Sequence, residues 1–174
     1  MTMEKLSQRI NQLSNQKDAR NVYLVLEKVY KRLGNVALQH ANLTLGTTKQ
    51  KLKSQADYYA LIGGVMVKKS ATDDLITLTT ASNCSNAKFN VTVFTINSSG
   101  TITNRAGTEG ATLAAITWPT IPADEPIFGI LLVNPTGTGG FVGGTTALDD
   151  GTVQPGAVYL NPLSAFSTSA IANL

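Results

Sequence analysis

Apolar positions recur at helical spacing in the first quarter of the chain. Between residues 22 and 43 successive apolar positions are separated by 4, 3, 4, 3 and 7 residues, and a histidine fills the slot between the last two. This seam of about three heptads is typical of helices that wind around one another. We predict a helical region over residues 1–46 whose oligomer interface consists of Val22, Leu26, Val29, Leu33, Val36, His40 and Leu43.

A second interpretation of this seam stays open. The same stripe suits packing against the rest of the protein, and Gly34 within it lowers helix stability. The charged residues that flank the seam favour self-association as a free-standing coil. Leu6, Ile10 and Leu13 form a shorter seam before it, and the polar stretch 14–20 between the two marks a break or a phase shift.

The hydrophobic pattern changes after a linker at residues 47–57. From residue 58 to residue 174 the chain consists of β-branched runs separated by Gly, Pro, Asn and Asp, which predicts a β domain. The predicted fold class is therefore α+β. It combines an N-terminal helical stalk (coiled coil) with a mainly antiparallel β head, either sandwich-like or an interlocked trimer.

Four segments of the head are predicted individually. Residues 88–104 indicate a hairpin, with its turn at Asn97–Gly100. Residues 60–67 and 126–133 resemble each other, with glycine at the same place, and predict two buried central strands whose glycines admit another backbone. The three prolines of residues 118–126 require an extended segment outside the middle of a sheet.

Charge and cysteine content limit the kinds of partner and the cellular compartment that the sequence predicts. The net charge of +3 divides into +7 up to residue 53 (ten basic, three acidic) and −4 after it (four basic, eight acidic). The basic residues alternate with apolar ones instead of gathering on one face, so we predict no nucleic-acid partner. The chain shows no secretory or membrane-spanning run, which predicts no membrane partner and synthesis in a cytoplasm. A single cysteine excludes an intrachain disulfide.

Candidate catalytic groups are few. The single histidine, His40, falls in the helical seam, away from the head, which argues against Ser-His-Asp or Cys-His catalysis. The pairs Asp73–Asp74, Asp124–Glu125 and Asp149–Asp150 suit turns or caps better than a glycosidase, because neighbours in a strand point to opposite faces. Trp118 is the best candidate for a sugar-stacking platform, and packing explains it equally well. We predict a protein that is not an enzyme and has no cofactor and no metal, although three copies of His40 on a trimer axis would offer metal ligands.

The later part of the chain resembles a known family. WPTIPADEPIFGILLV (118–133), FVGGTTALDD (141–150) and VQPGAVYLNPLSAF (153–166) occur in the order found in small virion structural proteins of tailed bacteriophages, of the head-fibre and capsid-decoration type. The resemblance covers residues 58–166. It implies a trimeric β head on an N-terminal helical attachment region, exposed on the virion. The chain departs from the pattern at Asp124–Glu125, where a glycine and a polar residue are expected.

These observations together predict a structural virion protein made in the cytoplasm of a bacterial host. We expect a homotrimeric head fibre or capsid decoration protein, attached through its N-terminal helical region to the major capsid protein or another virion protein. The alternative is a tail-fibre or receptor-binding module that contacts host surface glycan. A small depolymerase is a third, less favoured interpretation.

Overall fold

Antiparallel strands dominate the structure. The computed structural model of the chain describes Leu24 and residues 34–137, 139–151 and 157–162. Within these residues lie ten strands and two 3-10 helices of three residues each, Thr80–Ser82 and Leu113–Ala115. The strands are β1 (Val36–Gln39), β2 (Leu43–Leu45), β3 (Lys51–Ser54), β4 (Tyr58–Ile62), β5 (Val65–Lys69), β6 (Ile76–Thr77), β7 (Asn90–Ile96), β8 (Ile102–Ala106), β9 (Ile127–Val133) and β10 (Val158–Leu160).

Three antiparallel sheets share one core. The strand order is β10-β9-β7-β8 in the largest sheet and β1-β4-β5 and β2-β3-β6 in the other two. Side chains from all three sheets meet in one buried cluster, in which Tyr58, Phe94 and Phe128 are fully enclosed. The buried Tyr58 hydroxyl donates a hydrogen bond to the carbonyl oxygen of Ile127 at 3.0 Å, which satisfies its polar end. The antiparallel β structure predicted for the head is confirmed.

The predicted helical stalk is wrong over residues 34–46. This stretch contains β1 and β2, and no helix in the described ranges is longer than three residues. The earlier part of the predicted coiled coil, residues 1–33, lies outside the described residues except for Leu24. The α+β class with a coiled coil therefore gives way to an antiparallel β fold.

Asn35 explains why the chain leaves the helical pattern at this point. Its side-chain amide donates to the carbonyl oxygen of Ala123 at 3.1 Å and accepts from the backbone N–H of Gly63 at 2.8 Å. From residue 36 onward β1 pairs with β4, and Ala37 and Leu43 are buried among the sheets. Helical spacing is a weak preference in isolation, so this pairing and burial outweigh it, the more easily because a glycine precedes.

Strand pairing crosses the predicted linker, residues 47–57. β3 lies inside the linker and pairs with β2 before it, and β1 pairs with β4 beyond it. Residues 36–54 are thereby joined to strands of the predicted head. The division into regions 1–46, 47–57 and 58–174 stays a prediction, since most of its first region lies outside the described residues.

The predicted hairpin at residues 88–104 is confirmed. β7 and β8 pair antiparallel, and the turn between them is held by Asn97. Oδ1 of Asn97 accepts hydrogen bonds from the backbone N–H groups of Ser99 at 3.1 Å and Thr101 at 3.0 Å. Gly100 has a φ of +78°, in the left-handed region that favours glycine.

Of the two predicted central strands, only the second is a single strand. Residues 127–133 form β9, which lies between β7 and β10 and is buried on both faces. Residues 60–67 contain the turn between β4 and β5 instead, with positive φ at Gly63 and Gly64. Two consecutive residues with positive φ are typical of a type I′ hairpin turn, for which glycine is suited.

The glycine of β9 follows a bulge in that strand and lies against a leucine side chain of β2. The register between β7 and β9 shifts at Phe128, which has no partner in β7. A bulge of this kind places two residues opposite one. A methyl group on the next residue, Gly129, would lie 2.1 Å from Cδ1 of Leu43. The glycine therefore admits a side chain of β2 into the core, where the sequence predicted the approach of another backbone.

The segment after β8 covers the outer face of the large sheet. It contains the 3-10 helix Leu113–Ala115 and pairs with itself through the isolated bridge between Thr108 and Thr117. Its proline-rich part, residues 118–126, joins no sheet, as its prolines predict, and turns at residues 123–124. Its apolar side chains lie against a second buried cluster on that face. The cluster consists of Val91, Val93, Ile127 and Ile130, and Ile116, Trp118 and Ile121 pack against it.

Candidate interaction surfaces

The first acidic pair closes the turn between β2 and β3. Each carboxylate accepts hydrogen bonds from the backbone N–H and the hydroxyl of one threonine, Asp73 from Thr47 and Asp74 from Thr48. The hydrogen bond from the Thr47 hydroxyl is the main reason that the pKa of Asp73 is lowered. These contacts assign the pair the turn-capping role that its sequence predicts.

Glu125, where the chain departs from the virion-protein pattern, lies in an ionic cluster. Arg105 donates to Oε2 of Glu125 at 2.6 Å and to Oγ1 of Thr95 at 2.9 Å, and the Thr95 hydroxyl donates to the same Oε2 at 2.5 Å. Burial raises the pKa of Glu125, but the hydrogen bonds from Thr95 and Arg105 more than reverse this and lower it. The cluster fastens the proline-rich segment to β7 and β8.

Two further carboxylates form ion pairs nearer the surface. Glu109 accepts hydrogen bonds from Lys88 Nζ at 2.7 Å and from the backbone N–H of Ser85 at 2.7 Å. The Lys88 hydrogen bond is the largest cause that lowers the pKa of Glu109 to about 2. Asp149 lies 3.1 Å from Lys49 Nζ. Among the described residues, no three His, Cys, Asp or Glu side chains are grouped closely enough to hold a metal ion.

Cys84 is buried, whereas His40 is partly buried. The Cys84 thiol lies 3.3 Å from the carbonyl oxygen of Lys88, and burial together with the charge of Glu109 raises its pKa to about 11. A thiol that stays protonated is a poor nucleophile. His40 lies between β1 and β2, and its buried Nδ1 has no hydrogen-bond partner within the described part of the chain.

A cavity of about 470 Å³ lies where the β4–β5 turn meets the β7–β8 turn. Its lining residues are small or polar apart from Ile62, and include Gly34, Asn35, Asn97, Ser98 and Asp124, although most of the lining surface is apolar. The receptor-binding alternative predicts clustered exposed aromatic side chains beside a groove. No aromatic side chain lines this cavity, none is among the large apolar side chains exposed in the described ranges, and Trp118 packs against the second cluster.

The structure describes three of the seven residues of the predicted oligomer interface. Four of them, Val22, Leu26, Val29 and Leu33, lie outside the described residues. Val36 lies in β1 and His40 follows that strand. Leu43 is only 2% exposed, and its backbone N–H donates to Oδ1 of Asn161 at 2.7 Å. Leu43 thus belongs to the core of its own chain and is not available to a second copy.

The outer face of the β1-β4-β5 sheet carries an apolar row that the sequence analysis does not predict. Val36, Leu61 and Met66 lie side by side on its three strands. Met66 is 56% exposed, and the other two are half-buried. We call these three residues the sheet-face patch. Residues 58–62 are apolar on both faces, so they lack the alternation that identifies an exposed face in the sequence.

Polar and charged groups bound the sheet-face patch on one side. In the neighbouring row Lys68 Nζ lies 2.7 Å from Asp57 and 5.6 Å from the centre of the Tyr59 ring. On the other side the β4–β5 turn approaches Gly34, whose carbonyl oxygen accepts from the N–H of Gly64 at 3.4 Å. The β4–β5 turn and Gly34 thus lie at the other side of the patch.

A second apolar surface lies along the last strand of the large sheet. Val158 and Leu160 of β10 lie opposite Leu132 and Ile130 of β9, on the outer side of the sheet. Val158 is 46% and Leu160 39% exposed, and Leu132 is half-buried. Leu132, Val158 and Leu160 are termed the β10 margin. The far side of β10 pairs with no other strand in the described part of the molecule.

Comparison of the chain with protein-family models, with curated protein sequences and with solved structures finds no match. The likeness to phage virion proteins thus rests on the three sequence segments alone. In the described residues no helix is both long enough and apolar enough to cross a membrane.

Proposed function

We propose that this chain is a non-enzymatic structural subunit of a tailed-bacteriophage particle, a homotrimeric head-fibre or capsid-decoration protein. Its N-terminal region attaches it to the major capsid protein or to another virion protein. The β10 margin is the observation that carries the proposal. It lies inside the segment that carries the family resemblance, and it offers an apolar edge to another copy of the chain.

The charges on the two kinds of edge strand support self-association at β10. Edge strands of soluble proteins commonly carry charged side chains that discourage pairing with another chain. Lys68 and Lys69 supply such charges on β5. Residues 151–162, which include β10, contain no charged residue, so the apolar side chains of the β10 margin from three copies meet around a common axis without repulsion. The number three comes from the family resemblance.

The carboxylates support a structural role. Asp73 and Asp74 hold a turn, and Glu109 and Glu125 accept hydrogen bonds from lysine or arginine. The lowered pKa of Glu109 and of Glu125 keeps both ionised near neutral pH, which is unsuitable for a general acid. Their contacts stabilise the head.

The mass of the purified protein in solution tests the assembly. Three chains of 18.4 kDa give about 55 kDa, and we expect light scattering at micromolar concentration to show that mass. Leu160→Lys places a charge in the β10 margin and should shift the mass toward one chain. Leu113→Lys is the matched control, because Leu113 is exposed on a 3-10 helix outside the margin. A wild-type mass of one chain, or equal loss of assembly in both variants, contradicts the proposal.

Labelling of phage particles tests the location. Antibody raised against the chain should mark heads in electron micrographs at a copy number set by capsid symmetry. Labelled tails with bare heads would favour the receptor-binding alternative, in which host surface glycan is the partner.

A further inference from the structure

Asp124 differs from the other acidic residues in the described part of the chain. The side chains of those residues take part in a hydrogen bond, an ion pair or an electrostatic interaction, whereas the carboxylate of Asp124 has none of these. Its neighbour Glu125 is held by Arg105 and Thr95 in the ionic cluster. The chain departs from the virion-protein pattern at both acidic positions, and the ionic cluster explains only the second of them.

The unpaired carboxylate belongs to the lining of the cavity between the turns. Asp124 is exposed and lines this cavity of about 470 Å³ together with Ser98, Ile62 and Ala123. The hydroxyl of Ser98 also has no hydrogen bond to another described residue. Most of the lining surface is apolar. A concave apolar wall with a few free polar groups in this range of volume is typical of a site for a small ligand or a single side chain.

Hydrogen bonds hold the walls of the cavity in place. Asn35 is only 6% exposed, and its side-chain amide joins two other lining residues, Gly63 at 2.8 Å and Ala123 at 3.1 Å. Oδ1 of Asn97 closes the β7–β8 turn through the backbone N–H groups of the residues that follow. The three turns that form the cavity are therefore fixed before a ligand arrives, and a fixed site loses less conformational entropy on binding.

The charge at the cavity is negative and is not balanced by a neighbour. Arg105 lies 2.6 Å from Glu125, so this pair adds no net charge beside Asp124. An anion is therefore repelled from the lining. A bound metal ion takes several oxygen, nitrogen or sulfur ligands, and in the described ranges no three His, Cys, Asp or Glu side chains are grouped closely enough to supply them. The remaining class of ligand is an organic cation.

We propose that this cavity binds an alkylammonium or alkylguanidinium group, the chemistry of a lysine or arginine side chain. The carboxylate of Asp124 accepts hydrogen bonds from the cationic end, and the Ser98 hydroxyl offers a further acceptor. The alkyl chain lies along the apolar wall that contains Ile62, as the stems of long basic side chains commonly do. This site is separate from the β10 margin, so the inference goes beyond the proposed assembly and does not depend on it.

Titration of the isotope-labelled full-length protein with n-butylguanidinium, followed by nuclear magnetic resonance, tests the site. We expect saturable shifts of the backbone amide signals of Gly63, Ser98 and Asp124. Asp124→Asn should weaken binding by about fivefold, the factor that corresponds to one ion pair near the surface. Asp149→Asn is the matched control, because it removes the same charge beside Lys49 and outside the cavity lining, and it should leave the affinity unchanged. Butanoate, which has an alkyl chain but the opposite charge, should not shift these signals.

A second probe distinguishes the two sources of such a cation. A short capped peptide with arginine as its only charged residue should bind more tightly than n-butylguanidinium if the ligand is a side chain of a partner protein. Equal affinity assigns the site to a free amine or guanidine, and both results support the proposal. Equal binding of n-butylguanidinium to wild type and Asp124→Asn, matching shifts with butanoate, or no saturable shift overturns it. The mass of the assembly does not enter these titrations, so their failure is distinct from failure of the proposed function.

Discussion

Replacing Gly129 by alanine should destabilise the protein, because the added methyl group would collide with Leu43. The methyl carbon would lie 2.1 Å from Cδ1 and 3.0 Å from Cγ of that leucine, whereas carbon atoms in contact are normally about 3.5–4.0 Å apart. Leu43 is only 2% exposed and belongs to the buried cluster, so its side chain can move only by displacing its neighbours. Overpacking of a dense core costs roughly 1–3 kcal/mol, so we expect Gly129→Ala to lower the free energy of unfolding by about 2 kcal/mol.

The second substitution makes the prediction specific to this contact. Leu43→Ala alone removes a buried side chain and should cost about 2–5 kcal/mol. In that background the collision is gone, and the methyl group of Gly129→Ala fills part of the vacated space. The double variant should therefore be at least as stable as Leu43→Ala alone. This corresponds to a coupling energy on the order of 2 kcal/mol between the two positions.

Urea denaturation at one fixed protein concentration measures all four free energies of the cycle. Ile76→Ala serves as the control partner for Gly129→Ala, since Ile76 is equally buried but lies two strands from β2, about 10 Å away. That control pair should be additive within about 0.5 kcal/mol. If the Gly129–Leu43 pair is additive as well, Leu43 does not enter the core beside β9. The placement of residues 43–45 in a strand, and with it the correction of the stalk, would then be wrong.

Three further predictions concern charged and titratable groups. Glu125→Gln should lower the free energy of unfolding by about 1–3 kcal/mol, measured in urea, because it leaves the half-buried Arg105 without its carboxylate partner. The loss should be smaller in an Arg105→Ala background, and a full loss there contradicts the ionic cluster. Glu109 has a lowered pKa of about 2, so it stabilises the fold above its unfolded pKa of about 4.3, and this stabilisation is lost as the pH falls toward 2. Glu109→Gln should lower the free energy of unfolding at pH 7 by on the order of 1 kcal/mol and reduce its change between pH 5 and pH 2. An unchanged dependence of that free energy on pH contradicts this. Cys84 should react with iodoacetamide at pH 8 only as fast as the protein opens, and immediate labelling would contradict its burial.

The elements that sequence reasoning identifies correctly are those with local causes. The β7–β8 turn depends on Asn97 and Gly100, which act on their own neighbours. The double burial of β9 follows from an unbroken apolar run of strand length. A Gly-Gly pair, by contrast, serves both in a buried strand and in a type I′ turn. The sequence therefore predicts one strand over residues 60–67, and this prediction is wrong, since these residues form the end of β4, a turn and the start of β5.

The stalk prediction is wrong for residues 34–46 because the contacts that determine their structure join residues distant in sequence. Asn35 acquires its partners from Gly63 and Ala123, 28 and 88 residues away. Leu43 fits beside Gly129, and this complementarity is visible only once β2 and β9 are adjacent. A 4-3-4-3 spacing of apolar residues favours a helix, but it holds no information on the distant partners that make residues 36–39 a strand. The apolar face of the β1-β4-β5 sheet was missed for the same reason, since its three residues come from three strands.

The two exposed apolar surfaces differ in the groups that they offer to a partner. The sheet-face patch is a side-chain surface bounded by Lys68 and Asp57, and a peptide backbone cannot join it by strand pairing. In the described part of the chain β10 pairs on one side only, and residues 151–162 contain no charged residue. An uncharged apolar surface of this kind suits the same surface of identical chains around one axis. The two surfaces lie on different sheets, so self-association at the β10 margin does not require the sheet-face patch.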